Sequence, residues 1–251
     1  RARRGPAPAC PPRCAAPDTA PSDRRPRPML STLAPAAPDP ILALIKLFRE
    51  DPREDKTDLG VGVYKDAAGS TPVFRAVREA EARLHAGQST KAYLGLGGDL
   101  AFADRLGALA LGEGRAAAAA RVQTAGGSGA LHTLGRVAKA ATPAATAWMP
   151  DPTWSNHYNI LGAAGLRCAS YPWISGPGDD GAATLAALDR LGPGDLVVLH
   201  GCCHNPTGAD PSPALWQALA DSAARRGWVP LVDLAYQGFG DGLEADAAGL
   251  R

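Results

Sequence analysis

The 251-residue chain carries 26 Lys and Arg against 25 Asp and Glu, a formal net charge of +1, and is 45% hydrophobic. This balance describes a soluble globular protein, long enough for one large domain or two small ones. The charge is uneven, because residues 1–28 hold seven Arg against Asp18 and Asp23, a local +5, leaving 1 − 5 = −4 for residues 29–251. A nucleic-acid binder would carry a basic stripe inside its fold, and a bilayer span needs about 18 consecutive apolar residues. The chain has neither, so nucleic acid and membrane are excluded as partners and the expected compartment is the cytoplasm. The five cysteines are an odd number with two of them adjacent, which does not make a disulfide framework.

Residues 1–28 are rich in Arg and Pro, have no hydrophobic period, and are expected to form a disordered leader. Met29 reads as a natural start, with the leader a translated upstream stretch or part of a larger reading frame. A transit peptide is the weaker alternative, since Pro alternating with Arg does not build an amphipathic helix. Residues 29–71 are expected to form an arm and a segment of a smaller domain, and residues 72–251 a larger domain that is incomplete. Pro40 to Arg49 predicts a short helix after an Asp39 cap. Thr57 to Tyr64 alternates around Gly60 and Gly62 as a bent strand or extended loop. Helices are predicted from Phe74 to His85, stopped by Gly87, and from Leu100 to Leu111.

Beyond this the pattern alternates. Strands are predicted at Arg121–Thr124, Ala145–Met149, Leu166–Trp173, Asp195–His200 and Trp228–Leu234, the last two buried. Helices are predicted at Ala130–Ala141, Asn156–Ala164, Leu185–Leu191 and Pro213–Arg226. Strand and helix in turn predict an α/β fold, a mostly parallel sheet with helices on both faces, whose ligands sit at the carboxyl ends of the strands.

Four features follow successive strand ends. Thr124-Ala-Gly-Gly-Ser-Gly129 leads into a helix, and its glycines and helix-start amides suit a phosphate. It lacks the spacing of dinucleotide and P-loop motifs, and a plain tight turn is the alternative. Trp154 follows one strand as a core residue or a stacking platform. Asn205 follows another, in an Asn-Pro-Thr-Gly turn. Asp233 ends a buried strand, where a carboxylate needs a cation or several donors, a cationic ring nitrogen among them, unless it caps a turn. His200, Cys202, Cys203 and His204 lack the ligand spacing of a zinc site, so no metal is expected.

Together with Gly60-Val-Gly-Val-Tyr64, Lys91-Ala-Tyr-Leu-Gly95, Gly126-Gly-Ser-Gly-Ala-Leu131, Asp151-Pro-Thr-Trp-Ser-Asn-His157 and Asp233-Leu-Ala-Tyr-Gln-Gly-Phe239, the run His200 to Asp210 resembles the class I pyridoxal-phosphate aminotransferases, in the branch of aspartate and aromatic-amino-acid transaminases. The resemblance covers about Met29 to Arg251 and implies an incomplete large domain of a fold-type I transferase.

It also implies roles. Asp233 would pair with the protonated pyridine nitrogen and keep the ring an electron sink. Asn205 and Tyr236 would hydrogen-bond the ring oxygen, and Trp154 would stack on the ring. Gly127 and Ser128 would hold the phosphate, joined by Tyr93 from the partner of a homodimer. Gly62, Trp154 and Asn205 would lie near the substrate carboxylate. The family's Schiff-base lysine, which is also its general base, is not matched by any lysine here. The chain alone is therefore expected not to transaminate, to expose unpaired strand edges, and to be poorly stable. The implied reaction moves an amino group from an aromatic amino acid to 2-oxoglutarate. Aspartate aminotransferase is the nearest alternative, a non-catalytic remnant the next, and a general phosphate-binding α/β module the last.

Overall fold

The computed structural model describes residues 40–58 and 62–251, which fall into two compact units divided between Gln88 and Ser89. The leader, Met29 and the centre of the Thr57–Tyr64 segment lie outside the described residues. In the first unit, α1 (Pro40–Glu50) and α2 (Arg75–Gly87) form where periodicity places them. Lys56 Nζ donates to the carbonyls of Phe48 and Asp51 at 2.7 and 2.6 Å, satisfying acceptors that the end of α1 leaves without intrahelical donors. Residues 57–58 and 62–64 form no strand.

In the second unit, α3 (Leu100–Leu111) starts at Asp99, whose carboxylate accepts the Phe102 N–H at 3.0 Å. Its last carbonyls are capped from afar: Arg251 donates to Leu109 and Ala110, and Gln237 Nε2 to Leu109. A short α4 (Glu113–Ala118) follows, unanticipated because its Ala run shows no apolar period. Helix α5 (Gly126–Ala141) begins four residues earlier than expected, so the Gly-Gly-Ser-Gly segment forms its first turn.

Four strands make an all-parallel sheet in the order β2-β1-β3-β4: β1 (Thr146–Asp151), β2 (Arg167–Pro172), β3 (Leu196–His200) and β4 (Val229–Asp233). The links are α6 (Asn156–Ala163), α7 (Ala182–Leu188) and α8 (Pro213–Arg226). Strand alternation divides the core in two. Leu196 and Val198 of β3 join Ala147, Met149, Leu131 of α5 and Leu161 of α6. Val197 and Leu199 join Tyr171, Leu188 of α7 and Leu215 and Leu219 of α8. Since β3 is fully buried, it reads as a continuous apolar run rather than an alternating one.

From β1 the chain goes to β2, then returns past β1 to β3. Its direction across the sheet reverses there, which opens a crevice at the carboxyl ends of β1 and β3.

Two expectations are corrected. Arg121–Thr124 is not a strand: the Gln123 N–H bonds Gly97 O at 2.9 Å and its side chain accepts the Asp99 N–H at 2.7 Å, so this segment's hydrogen bonds go to a loop. Among the described residues no strand lies beside it to form a ladder. Strand β4 is an edge strand, with Val229 49% exposed, rather than a buried one. Leu134 and Val137 on α5 and Val122 are also exposed, apolar surface that favours association.

Helices α5 and α6 meet at Gly135, where an added Cβ would lie 2.9 Å from Ala164 Cβ and 3.1 Å from Leu161 Cδ2. Gly135→Leu is expected to destabilise the second unit by about 1–3 kcal/mol through overpacking, measured as a lowered urea midpoint.

Candidate cofactor site

At the carboxyl ends of the strands lies a cavity of about 260 Å³, lined by Gly127, Ser128, Leu131, Trp154, His200, Cys202, Asn205, Asp233, Ala235 and Tyr236. The strand order explains this gathering. Trp154 follows β1, Asn205 follows β3, Asp233 ends β4, and the first turn of α5 presents Gly127 and Ser128. Six of the expected cofactor residues thus surround one space. Tyr93 is fully exposed and does not line its own chain's cavity, and Gly62 sits exposed in the first unit. Among the described residues no lysine lines the cavity, and no group of His, Cys, Asp and Glu is arranged to hold a metal ion.

Asp233 is less buried than its strand pattern implied, its side chain 25% exposed, because β4 is an edge and its end opens into the cavity. Behind it stands His157, fully buried, with Nε2 2.9 Å from Asp233 Oδ2. The sequence reading gave neither His157 nor Thr153 a role. Thr153 lies in the loop before α6, outside the helix, so no helical spacing in the sequence links it to His157.

A chain of four hydrogen bonds connects Asn205 to Asp233, and its donors can be ordered. The Asn205 backbone N–H donates to His200 Nδ1 at 3.3 Å. Burial, first, and the neighbouring histidines lower the His200 pKa to about 3, so the ring is neutral and its single proton is on Nε2. That Nε2–H donates to Thr153 Oγ1 at 3.1 Å. The Thr153 hydroxyl proton then points to His157 Nδ1, 2.8 Å away. His157 consequently carries its proton on Nε2 and donates it to Asp233. Every buried donor in the relay meets an acceptor, and the last acceptor keeps its remaining lone pairs for whatever enters the cavity.

The wall bearing Asn205 is similarly fixed. His204, buried and stacked on Trp173 with centroids 4.8 Å apart, has Nδ1 2.8 Å from Thr207 Oγ1. Asp210 accepts the Cys203 and His204 N–H groups at 2.6 and 2.8 Å, and Trp173 Nε1 donates to Ala209 O at 2.8 Å. Below Tyr236, Asp246 accepts the N–H groups of Gly238, Gly240 and Asp241. Despite its burial, these donors hold the Asp246 carboxyl below its ordinary pKa. The loops around the cavity are therefore pinned before anything binds, an arrangement that lowers the ordering cost of binding.

An acid at a strand end, amides at a helix start and an aromatic wall thus meet at the crevice of a parallel sheet. Residues 54–251 match the family described as aminotransferase class I and II, and the chain belongs to that family.

It is 50% identical over 221 residues to an aromatic-amino-acid aminotransferase of Pseudomonas aeruginosa, covering 85% of this chain and 55% of the relative. An aspartate aminotransferase of Salmonella typhi is 44% identical over 229 residues, 89% of this chain and 58% of the relative. A solved aromatic-amino-acid aminotransferase from Burkholderia pseudomallei, covalently bound to pyridoxal phosphate, superposes with a TM-score of 0.83 at 39% identity over 90% of this chain and 58% of that one. The chain thus spans a little over half the length of the curated relatives it matches.

Neutral His200 and His204 make stability depend on pH. Burial, first, lowers His204 to about 4 and His200 to about 3, from 6.5. The unfolded chain takes up these protons near pH 6.5 and the folded chain only below about 4, so their contribution is complete above pH 6.5 and is lost as the pH falls toward 3. Urea unfolding between pH 7.5 and 4.5 is expected to show stability falling by up to about 1.4 kcal/mol per pH unit for each ring. A flat profile over that range would contradict neutral, buried rings.

Proposed function

We propose that this chain supplies the ring- and phosphate-holding part of a pyridoxal-phosphate-dependent aminotransferase that acts on aromatic amino acids and 2-oxoglutarate. The observation that carries the reading is Asp233, a carboxylate that opens into the cavity while His157 holds it from behind at 2.9 Å. Such a group suits a protonated ring nitrogen: its side chain is three-quarters buried, His157 fixes its orientation, and a cation in the cavity would complete its pairing. Gly127 fits a phosphate, since its missing side chain leaves the helix start open, with nothing within 4 Å of where a Cβ would stand.

Bound pyridoxal phosphate would supply an electron-withdrawing ring and a carbonyl carbon that carries the amino group. The chain's own residues would do the holding. The α5 amides and Ser128 would bind the phosphate, Trp154 would cover the ring face, and Asn205 and Tyr236 would donate to the ring oxygen. Asn205, with Trp154 and Gly62, would also meet the substrate carboxylate. Tyr93, exposed on its own chain, would reach the phosphate of a second copy in a homodimer. The proton transfer at the substrate's α-carbon takes a lysine base in the resemblance stated above, and no cavity residue described here provides one. The cytoplasm is the compartment proposed, and among the described residues no helix is long and apolar enough to cross a membrane.

The test is steady-state kinetics of the full-length gene product on Tyr, Phe and Asp with 2-oxoglutarate. Aromatic substrates are expected to have the higher kcat/KM, and Asp233→Ala to lower it about 100-fold or more. A strong preference for Asp with negligible turnover of Tyr would overturn the aromatic assignment in favour of the aspartate one. Unchanged activity in Asp233→Ala would overturn the assignment of Asp233.

A further inference from the structure

Gln237 does not line the cavity, yet it directly follows Tyr236, which does. Tyr236 opens a tight turn: its carbonyl accepts the Phe239 N–H at 3.0 Å, and Gly238, third in the turn, has a φ of +94°. Gln237 is the second residue of that turn. Its Nε2 donates to Leu109 O at 2.9 Å and to Leu243 O at 2.8 Å, so both amide hydrogens are used. One acceptor belongs to the end of α3 and the other to the loop that continues from the turn. The Lys56 ammonium joins two carbonyls in the same way at the end of α1.

Capping α3 does not require Gln237. Arg251 already donates to Leu109 O at 3.0 Å and to Ala110 O at 3.1 Å, so Leu109 O keeps a donor when Gln237 is removed. What Gln237 adds is a joint between α3 and the turn that starts at Tyr236. Tyr236 is 39% exposed, so its ring is not locked by close packing all round, and its place depends on the backbone beneath it. The same loop also rests against the wall that carries Asn205, because a Cβ on Gly240 would stand 3.2 Å from Cys203 Sγ.

We propose that Gln237 is a positioning residue, which by joining Leu109 O to Leu243 O sets where the Tyr236 hydroxyl meets the ring oxygen of the bound cofactor. This rests on the role proposed above for Tyr236. Hydrogen bonds weaken steeply with distance and angle, so a turn released from α3 would weaken that contact while the fold remains. A donor to the ring oxygen favours its ionised form, and losing the donor raises the pH at which that oxygen ionises.

The experiment loads the full-length gene product with pyridoxal phosphate and titrates the near-ultraviolet absorbance of the bound ring with pH. Tyr236→Phe is expected to raise the midpoint by about 1 unit or more, and Gln237→Met, neutral and without donors, by about half as much. In the Tyr236→Phe background Gln237→Met is expected to add less than about 0.2 unit, because no hydroxyl is left to place. Gln237→Asn, one methylene short of spanning both carbonyls, is the second variant and is expected to raise the midpoint as Gln237→Met does. An unmoved midpoint in the Gln237 variants, with Tyr236→Phe shifted, would overturn the positioning role alone. So would a Gln237→Met shift that keeps its full size in the Tyr236→Phe background, or the failure of both Gln237 variants to fold, which would make Gln237 a cap that α3 needs. An unmoved midpoint in Tyr236→Phe would overturn the ring-oxygen role of Tyr236 and the positioning role with it.

Discussion

The hydrogen bond from His157 to Asp233 is the constraint on which the rest of the site depends. A carboxylate at the end of a parallel strand loses part of its hydration, and a fixed donor replaces that water. His157 can act as such a donor only in one tautomer. Thr153 sets that tautomer, His200 orients Thr153, and the backbone of Asn205 orients His200. Two cavity walls, one after β3 and one at the end of β4, are thus tied through a buried polar chain rather than through direct contact. At its two ends the donors are fixed, the Asn205 backbone N–H toward His200 and the His157 Nε2–H toward Asp233.

That polar chain needs the sheet order. Strands β1 and β4 both flank β3, so the residues following β1 and the last residue of β4 converge over the end of β3. The apolar layers on either face hold this spacing, with β3 contributing alternate residues to each. The loops beyond the strands are fixed by carboxylates used as backbone acceptors, Asp210 for the turn before Asn205 and Asp246 for the turn after Tyr236. Rigid positioning of cavity walls is therefore distributed over residues that never face the cavity.

Most of the architecture is legible in the sequence because apolar runs separated by helical periods report burial directly. The helix Pro213–Arg226 is an example, with Ser212 capping it and Gly227 ending it in a left-handed conformation. Legibility fails where a segment's fate depends on neighbours. Arg121–Thr124 has strand composition but no adjacent strand among the described residues, and β4 reads as buried although one side is open. At the site, the residues that face the cavity were visible as polar or aromatic side chains after strand ends. Those behind it were not. His157 and Asp233 are 76 positions apart, and no local pattern links them until the fold brings β1 and β4 to opposite sides of β3.

The central claim, that a hydrogen-bond chain running through His200 and His157 supports Asp233, is tested most directly by locating the ring protons that make it. Long-range ¹H–¹⁵N correlation spectra of the histidine-labelled chain at neutral pH report which ring nitrogen carries the proton. The account predicts a proton on Nε2 of both rings and none on Nδ1 of His200. A proton on Nδ1 of His200, or an Nε2 without a proton on either ring, would contradict it.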